Sequence, residues 1–232
     1  MEISVIIPAY NEEILIESTI IEVKDFLKNN FNNFEIIIVD DKSTDRTLAI
    51  LQSIDNIIVL RNLKNHGKGY TVAKGVKAAC GEIILFMDAD NSTKITELKS
   101  FLPKIDNYDL VIASRGLENS DIQVSQNLFK SLLGKLGNFF SRLLIDNNIK
   151  DTQCGFKLFK KDIKYLFEKL TIPGFAFDFE LIFLARKYKF KVKEMPVTWV
   201  NNFNSTVKWH DYPKTMLNLL NIRLNNLLGK YN

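Results

Sequence analysis

Ile3-Ser4-Val5-Ile6-Ile7-Pro8-Ala9-Tyr10-Asn11-Glu12 is a β-branched apolar run that breaks into a proline, an asparagine and an acid. A strand this apolar is expected to be covered on both faces. Pro8 is expected to stop ladder pairing. Asn11 then falls where a helix N-cap sits, with Glu12 and Glu13 favourable in the first turn. The same pattern recurs down the chain. Phe34–Val39, Asn56–Leu60, Glu82–Met87 and Asp109–Ala113 read as further strands, and Glu12–Asn30, Thr44–Ser53, Gly67–Ala79 and Ile95–Leu102 as the helices between them. This alternation predicts an α/β fold with a mostly parallel sheet and right-handed crossovers. Ligands of such sheets collect at the carboxyl ends of the strands.

The second half reads differently. Val124–Ile145 has the pattern of a long amphipathic helix, Phe156–Phe159 of a strand, Phe177–Lys189 of a helix and Lys191–Val200 of another strand. Tyr212–Leu228 reads as an amphipathic helix. No repeat or linker divides the chain, so residues 1–210 are expected to form one domain. Residues 211–232 would then pack on that domain, on a second copy or on a membrane surface.

Composition narrows the class. With 232 residues, 46% hydrophobic and 25% charged, the chain is an ordinary globular sequence. Two cysteines exclude a disulfide scaffold and make a reducing compartment the default. The net charge of +4 does not by itself point to nucleic acid, but suits phosphate groups or an anionic membrane surface. No run reaches the roughly 18 apolar residues that span a bilayer, and the chain starts directly with a strand. The expected location is cytoplasmic, with room for peripheral contact on a membrane's cytoplasmic face.

Three polar clusters follow predicted strands. Asp40-Asp41-Lys42-Ser43-Thr44-Asp45 can accept hydrogen bonds from a base or ribose, or cap the next helix. Asp88-Ala89-Asp90 sets two carboxylates at i and i+2, which on an extended strand point the same way. Hard oxygen ligands of this kind suit Mg²⁺ or Mn²⁺ carrying phosphates. His66-Gly67-Lys68-Gly69 opens a helix. Its glycines would let backbone approach a ligand, and Lys68 could reach an anion. Zinc chemistry is disfavoured by two histidines without a cysteine pair, and serine hydrolysis by the lack of Gly-x-Ser-x-Gly. Dinucleotide oxidoreduction is disfavoured because Gly-x-Gly-x-x-Gly does not follow the first strand.

The order strand–Pro8-Ala9-Tyr10-Asn11-Glu12, Val39-Asp40-Asp41, Asp88-Ala89-Asp90 resembles the family 2 glycosyltransferases of the GT-A fold. Asp151-Thr152-Gln153-Cys154-Gly155-Phe156-Lys157-Leu158-Phe159, Phe177-Asp178-Phe179-Glu180 and Glu194-Met195-Pro196-Val197-Thr198-Trp199 are similar to the dolichyl-phosphate β-glucosyltransferases and their prokaryotic polyprenyl-phosphate relatives. The resemblance implies a catalytic domain over residues 1–210. Pro8, Ala9, Tyr10, Glu12 and Asp40 would hold the nucleotide. Asp88 and Asp90 would bind the metal, with Ala89 between them and Lys68 on the donor side. The acceptor implied is a polyprenyl phosphate, gripped by Arg115 and by Lys130, where relatives often carry arginine. Asp151, Gln153 and Asp178 would line the sugar site. Asp178 or Glu180 would be the base if the acceptor were a hydroxyl. Cys154 reads as a buried filler. UDP-glucose is the implied donor and GDP-mannose stays open. A saccharide or protein hydroxyl acceptor, and a non-enzymatic nucleotide-sugar binder, are the competing readings.

Overall fold

The computed structural model describes residues 2–122, 144–146, 148–200 and 211–232. The expected helix Val124–Ile145, apart from its last residues, and Lys130 lie outside them. Strands β1 (Ile3–Ala9), β2 (Phe34–Asp40), β3 (Ile58–Arg61), β4 (Ile83–Met87) and β5 (Leu110–Ser114) alternate with helices α1 (Ile16–Asn30), α2 (Thr47–Gln52) and α3 (Lys68–Ala78). The expected helix Ile95–Leu102 is broken into 3₁₀ turns around a single turn of α-helix, α4 (Leu98–Phe101). Then follow β6 (Asp121–Ile122), β7 (Phe156–Lys160), α5 (Lys164–Glu168), α6 (Phe177–Lys187), β8 (Val192–Pro196), β9 (Thr198–Trp199) and α7 (Asp211–Leu227).

Seven strands form one sheet in the order β3-β2-β1-β4-β7-β5-β8. The pairs β1–β2, β1–β4, β2–β3 and β5–β8 are parallel, as the alternation predicts. β7 is the exception. It inserts antiparallel between β4 and β5, aligning Met87 with Phe156 and Ile112 with Lys157. The expected strand Lys191–Val200 is two strands. β8 ends at Pro196, which has no N–H to continue a ladder, and β9 joins β6 in a separate two-stranded sheet. Pro8 does not end β1. Pairing with β2 runs on to Ala9–Asp40, while pairing with β4 stops at Ile6–Phe86. The missing N–H therefore costs no ladder bond on the β4 side.

Side-chain alternation along β1 builds two cores. Val5 and Ile7 pack with Val23 and Phe26 of α1 and with Leu98 of α4, while Ile6 packs on the other face with Val72 and Val76 of α3. α6 is buried along nearly its whole length, and α7 sends Leu219 and Ile222 into the same core. The outer side of α7 exposes Leu217, Leu220, Leu224 and Leu227. Among the described residues no helix is long and apolar enough to cross a membrane.

Candidate active site

The carboxyl ends of β1, β2 and β4 converge, and their loops are tied by side chains. Asn11 is not an N-cap. It takes a left-handed conformation at φ 57°, donates its N–H to Ser43 Oγ at 3.0 Å and accepts Thr44 N–H at 2.8 Å. α1 begins later, at Ile16. The Glu12 N–H donates to Thr47 Oγ1 at 2.8 Å. Asp40 is fully buried: Oδ1 accepts Ser43 N–H at 3.0 Å, and Oδ2 lies 3.3 Å from Arg61 Nε without hydrogen-bond alignment. Tyr10 remains exposed beside them, and Ala9 is buried.

Asp41 accepts Asn62 Nδ2–H at 2.7 Å, His66 N–H at 2.9 Å and Gly67 N–H at 2.8 Å. It thereby fixes the start of α3, a job the sequence reading did not assign. The glycines there do not face a ligand. A methyl at Gly67, at φ 95°, would lie 2.8 Å from the Pro173 carbonyl oxygen. One at Gly69 would lie 2.6 Å from Phe177 Cβ and 2.7 Å from the Ile172 carbonyl oxygen. Their role is to let α3 seat against the 172–174 segment. Seated so, Lys68 reaches Asp88, Nζ to Oδ1 at 2.7 Å, near the rings of Phe86 and Phe175.

Asp88 and Asp90 stand in the turn after β4 rather than on the strand itself. The Asp88 N–H donates to the Gly155 carbonyl at 3.0 Å, and a Gly155 methyl would fall 2.0 Å from Asp88 Oδ2. Gly155 is therefore the residue that gives the Asp88 carboxylate its place. Ala89 is buried, and its carbonyl accepts the Thr19 hydroxyl at 2.8 Å. Asp90 Oδ1 accepts Ser92 N–H at 2.9 Å. Burial and then Asp88 raise its pKa. Glu12 is pushed up to about 7, first by burial, then by Asp90 and Asp88. Burial opposes the Lys68 charge, yet Asp88 and Asp178 hold its pKa above the ordinary value. Three carboxylates crowd here, and a divalent cation would relieve them. No group of three or more His, Cys, Asp or Glu able to hold a metal ion occurs among the described residues. An ion on Asp88 and Asp90 would therefore draw further ligands from a bound phosphate.

β7 and α6 supply the opposite wall. Arg115, directly after β5, grips Asp151 with Nε–Oδ2 at 2.6 Å and Nη2–Oδ1 at 3.0 Å, and its guanidinium lies 5.4 Å from the Trp199 ring centre. Burial works against both charges, but each partner holds the other ionised: Arg115 is raised and Asp151 lowered. Gln153 donates its backbone N–H to Asp151 Oδ1 at 3.0 Å. Lys157 was not foreseen as a site residue. Its Nζ is buried, 2.5 Å from Asp178 Oδ1 and 2.6 Å from the Cys154 carbonyl oxygen. A lysine inside the otherwise apolar strand Phe156–Phe159 was the available signal. Burial raises Asp178, against the pull of Lys157 and Lys68. Glu180 is no free base: it is wholly buried and accepts Thr171 N–H at 3.0 Å, the Thr171 hydroxyl at 2.6 Å and Ile172 N–H at 2.9 Å. Cys154 is a filler, 2% exposed, its thiol pushed up to about 11 by burial.

The glycosyl transferase family 2 profile matches residues 4–167. The dolichyl-phosphate beta-glucosyltransferase ALG5D of Trichomonas vaginalis is 35% identical over 95% of this chain and 72% of its own length. The Drosophila melanogaster dolichyl-phosphate beta-glucosyltransferase is 34% identical over 86% and 67%, and the Homo sapiens enzyme 30% over 99% and 77%. Among solved structures, mannosyl-3-phosphoglycerate synthase from Rubrobacter xylanophilus superposes with a TM-score of 0.73 at 17% identity, covering 99% of this chain and 76% of that one. Glucosyl-3-phosphoglycerate synthase from Mycobacterium tuberculosis, in complex with Mn²⁺ and uridine-diphosphate-glucose, gives 0.68 at 17% identity over 97% and 78%. The fold is that of the GT-A enzymes. With its polar strand ends gathered at one site and this profile matched over most of its length, the chain belongs to glycosyl transferase family 2 and is a glycosyltransferase.

Proposed function

We propose that this enzyme transfers glucose from UDP-glucose to a polyprenyl monophosphate, inverting the anomeric centre, with Mg²⁺ or Mn²⁺ held by Asp88 and Asp90. The observation that carries the acceptor class is the state of the two possible bases. Asp178 is buried against Lys157, and Glu180 is saturated by Thr171 and Ile172. A hydroxyl acceptor must lose a proton in the reaction. A phosphate monoester, with a second pKa of about 6, is already largely dianionic at neutral pH. Such an acceptor needs positioning more than deprotonation. The similarity to dolichyl-phosphate beta-glucosyltransferases supports the same class.

When bound, the cation would supply Lewis-acid charge to the diphosphate leaving group. Lys68 adds a second positive charge on that side. Glu12 and Asp40 stand at the strand ends where the nucleoside would lie. Arg115, fixed by its two-point grip on Asp151 and 30% exposed at its side chain, offers a pre-set cation to the acceptor phosphate. The fixed geometry lowers the ordering cost of binding.

The test is a donor screen. Purified protein, Mn²⁺ and a short polyprenyl phosphate are mixed with UDP-glucose, UDP-GlcNAc or GDP-mannose, and free nucleotide is measured. UDP release that requires both acceptor and metal is expected, with a β-linked product by NMR. Turnover with GDP-mannose alone would overturn the donor assignment, and an α-linked product the inversion. A hydroxyl acceptor would instead give a pH profile with a basic group whose limb disappears in Asp178→Asn.

A further inference from the structure

Asp178 and Glu180 lie two residues apart on α6, so they point to opposite sides of the helix. Asp178 meets Lys157 in the site. Glu180 turns away and gathers a second network. Besides the two N–H groups and the hydroxyl of Thr171–Ile172, it accepts the Tyr231 hydroxyl at 2.5 Å. Tyr231 follows α7 and is completely buried, with its ring near Phe183 and its carbonyl accepting the Tyr188 hydroxyl. Asn225 on α7 donates to Thr171 Oγ1 at 3.1 Å. Two points on or just after α7 thus converge on one short segment.

That segment is the one on which α3 is seated. The Pro173 carbonyl accepts Tyr70 N–H at 3.1 Å, and the tight approaches at Gly67 and Gly69 are made to Pro173 and Ile172. The next aromatic, Phe175, has its ring centre 5.8 Å from Lys68 Nζ. Lys68 in turn sits on Asp88. A continuous path of hydrogen bonds and close packing therefore runs from Tyr231 through Glu180, Thr171–Pro173 and the start of α3 to Lys68.

We infer that Tyr231 is a positioning residue for the donor side of the site: its hydroxyl, through Glu180, sets the 171–174 segment that holds Lys68 against Asp88. The inference rests on the donor-side reading above. A charge-assisted hydrogen bond to a buried carboxylate is among the stronger neutral-pH interactions a tyrosine makes, so its loss should be read locally and clearly.

Tyr231→Phe in the full chain removes the hydroxyl and keeps the ring. Hydrogen exchange of the Thr171, Ile172 and Tyr70 amides should quicken about tenfold, the scale of one such bond, while the β1–β2 amides stay as in the parent. The UDP-glucose KM should rise several-fold with kcat within about twofold, the signature of donor binding lost equally from ground and transition states. In a Lys68→Met background the same change should add nothing to KM, since the path would have lost its end. Unchanged exchange at the three amides in Tyr231→Phe, with disturbance only in Tyr231→Ala, would make the ring a mere filler and overturn the inference. Equal loss of protection in β1–β2 would overturn it as global destabilisation. Should the parent bind no UDP-glucose with Mn²⁺, the donor reading fails, and the exchange data still judge the Tyr231 linkage.

Discussion

The ends of β1 and β4 and the wall formed by β7 and α6 face one site, yet they treat charge in opposite ways. On the first side Glu12, Asp88 and Asp90 crowd together: burial and then Asp90 and Asp88 drive Glu12 up in pKa, and burial and then Asp88 drive Asp90 up. On the second side acids are matched with bases: Asp151 with Arg115 by a two-point grip, and Asp178 with Lys157. The lesson is functional. The first side sets three acids beside one lysine, Lys68, and under the proposed function that excess of negative charge would be met by a cation-bearing ligand, while the matched pairs would hold the second side still. Natural sites accept such local cost because the ligand removes it.

Lys157→Met should break the comparison hardest. It leaves Asp178 buried without its partner and is expected to cost about 3–5 kcal/mol. Urea midpoints would measure this, and adding Asp178→Leu should restore much of the loss. A midpoint equal to the parent's would show that the second wall is not held by charge matching. Next in size is Asp90→Asn. Its kcat/KM is expected to fall about 10²–10³-fold, the usual scale for losing one electrostatic stabiliser of a transition state. Mn²⁺-assisted UDP binding, followed by calorimetry, should weaken with it, while the melting temperature of the ligand-free protein should not fall.

Gly155→Ala probes the seam between the two walls. The added methyl meets the Asp88 carboxylate, and the displacement should cost about 1–3 kcal/mol by overpacking. Donor binding should weaken even though no charge is changed; thermal unfolding and calorimetry together would show both effects. Smallest is Glu12→Gln. The folded-state pKa of Glu12 is raised from 4.5 to about 7, so its charge destabilises the ligand-free fold above pH 7 and has no effect below pH 4.5, where the group is protonated both folded and unfolded. Full linkage would make this about 3 kcal/mol, and with Glu12 partly open to screening solvent its removal should add about 1 kcal/mol, or a few degrees in Tm, at pH 8 and nothing at pH 4. An equal gain at both pH values would show that charge crowding is not the cause.

Much of the parallel half was legible in advance. Ile3–Ala9, Phe34–Asp40 and Ile83–Met87 are short apolar runs bounded by turn residues, and the boundaries fall within a residue or two of expectation. Asn11 reads from sequence as an N-cap, but its side chain bonds to Thr44, a residue of a neighbouring loop, and no local pattern announces that. The glycines at 67 and 69 read from sequence as facing a ligand because a glycine shows only that something comes close, not what. Glu180 resembled a base by its neighbour Asp178, and helix geometry separates the two. Arg115 is expected from the resemblance as the cation for the acceptor phosphate, but its grip on Asp151 depends on a carboxylate 36 residues away.

Local patterning by itself determined the strand order along the chain, the crossover helices and the gathering of acids at strand ends, because hydrophobic period and turn chemistry act over a few residues. Tertiary structure decided that β7 runs antiparallel between β4 and β5, and so placed Gly155 under Asp88 and Lys157 beside Asp178. Strand register between segments some 70 residues apart is set by burial and backbone pairing across the sheet, and these exist only once the chain has closed on itself.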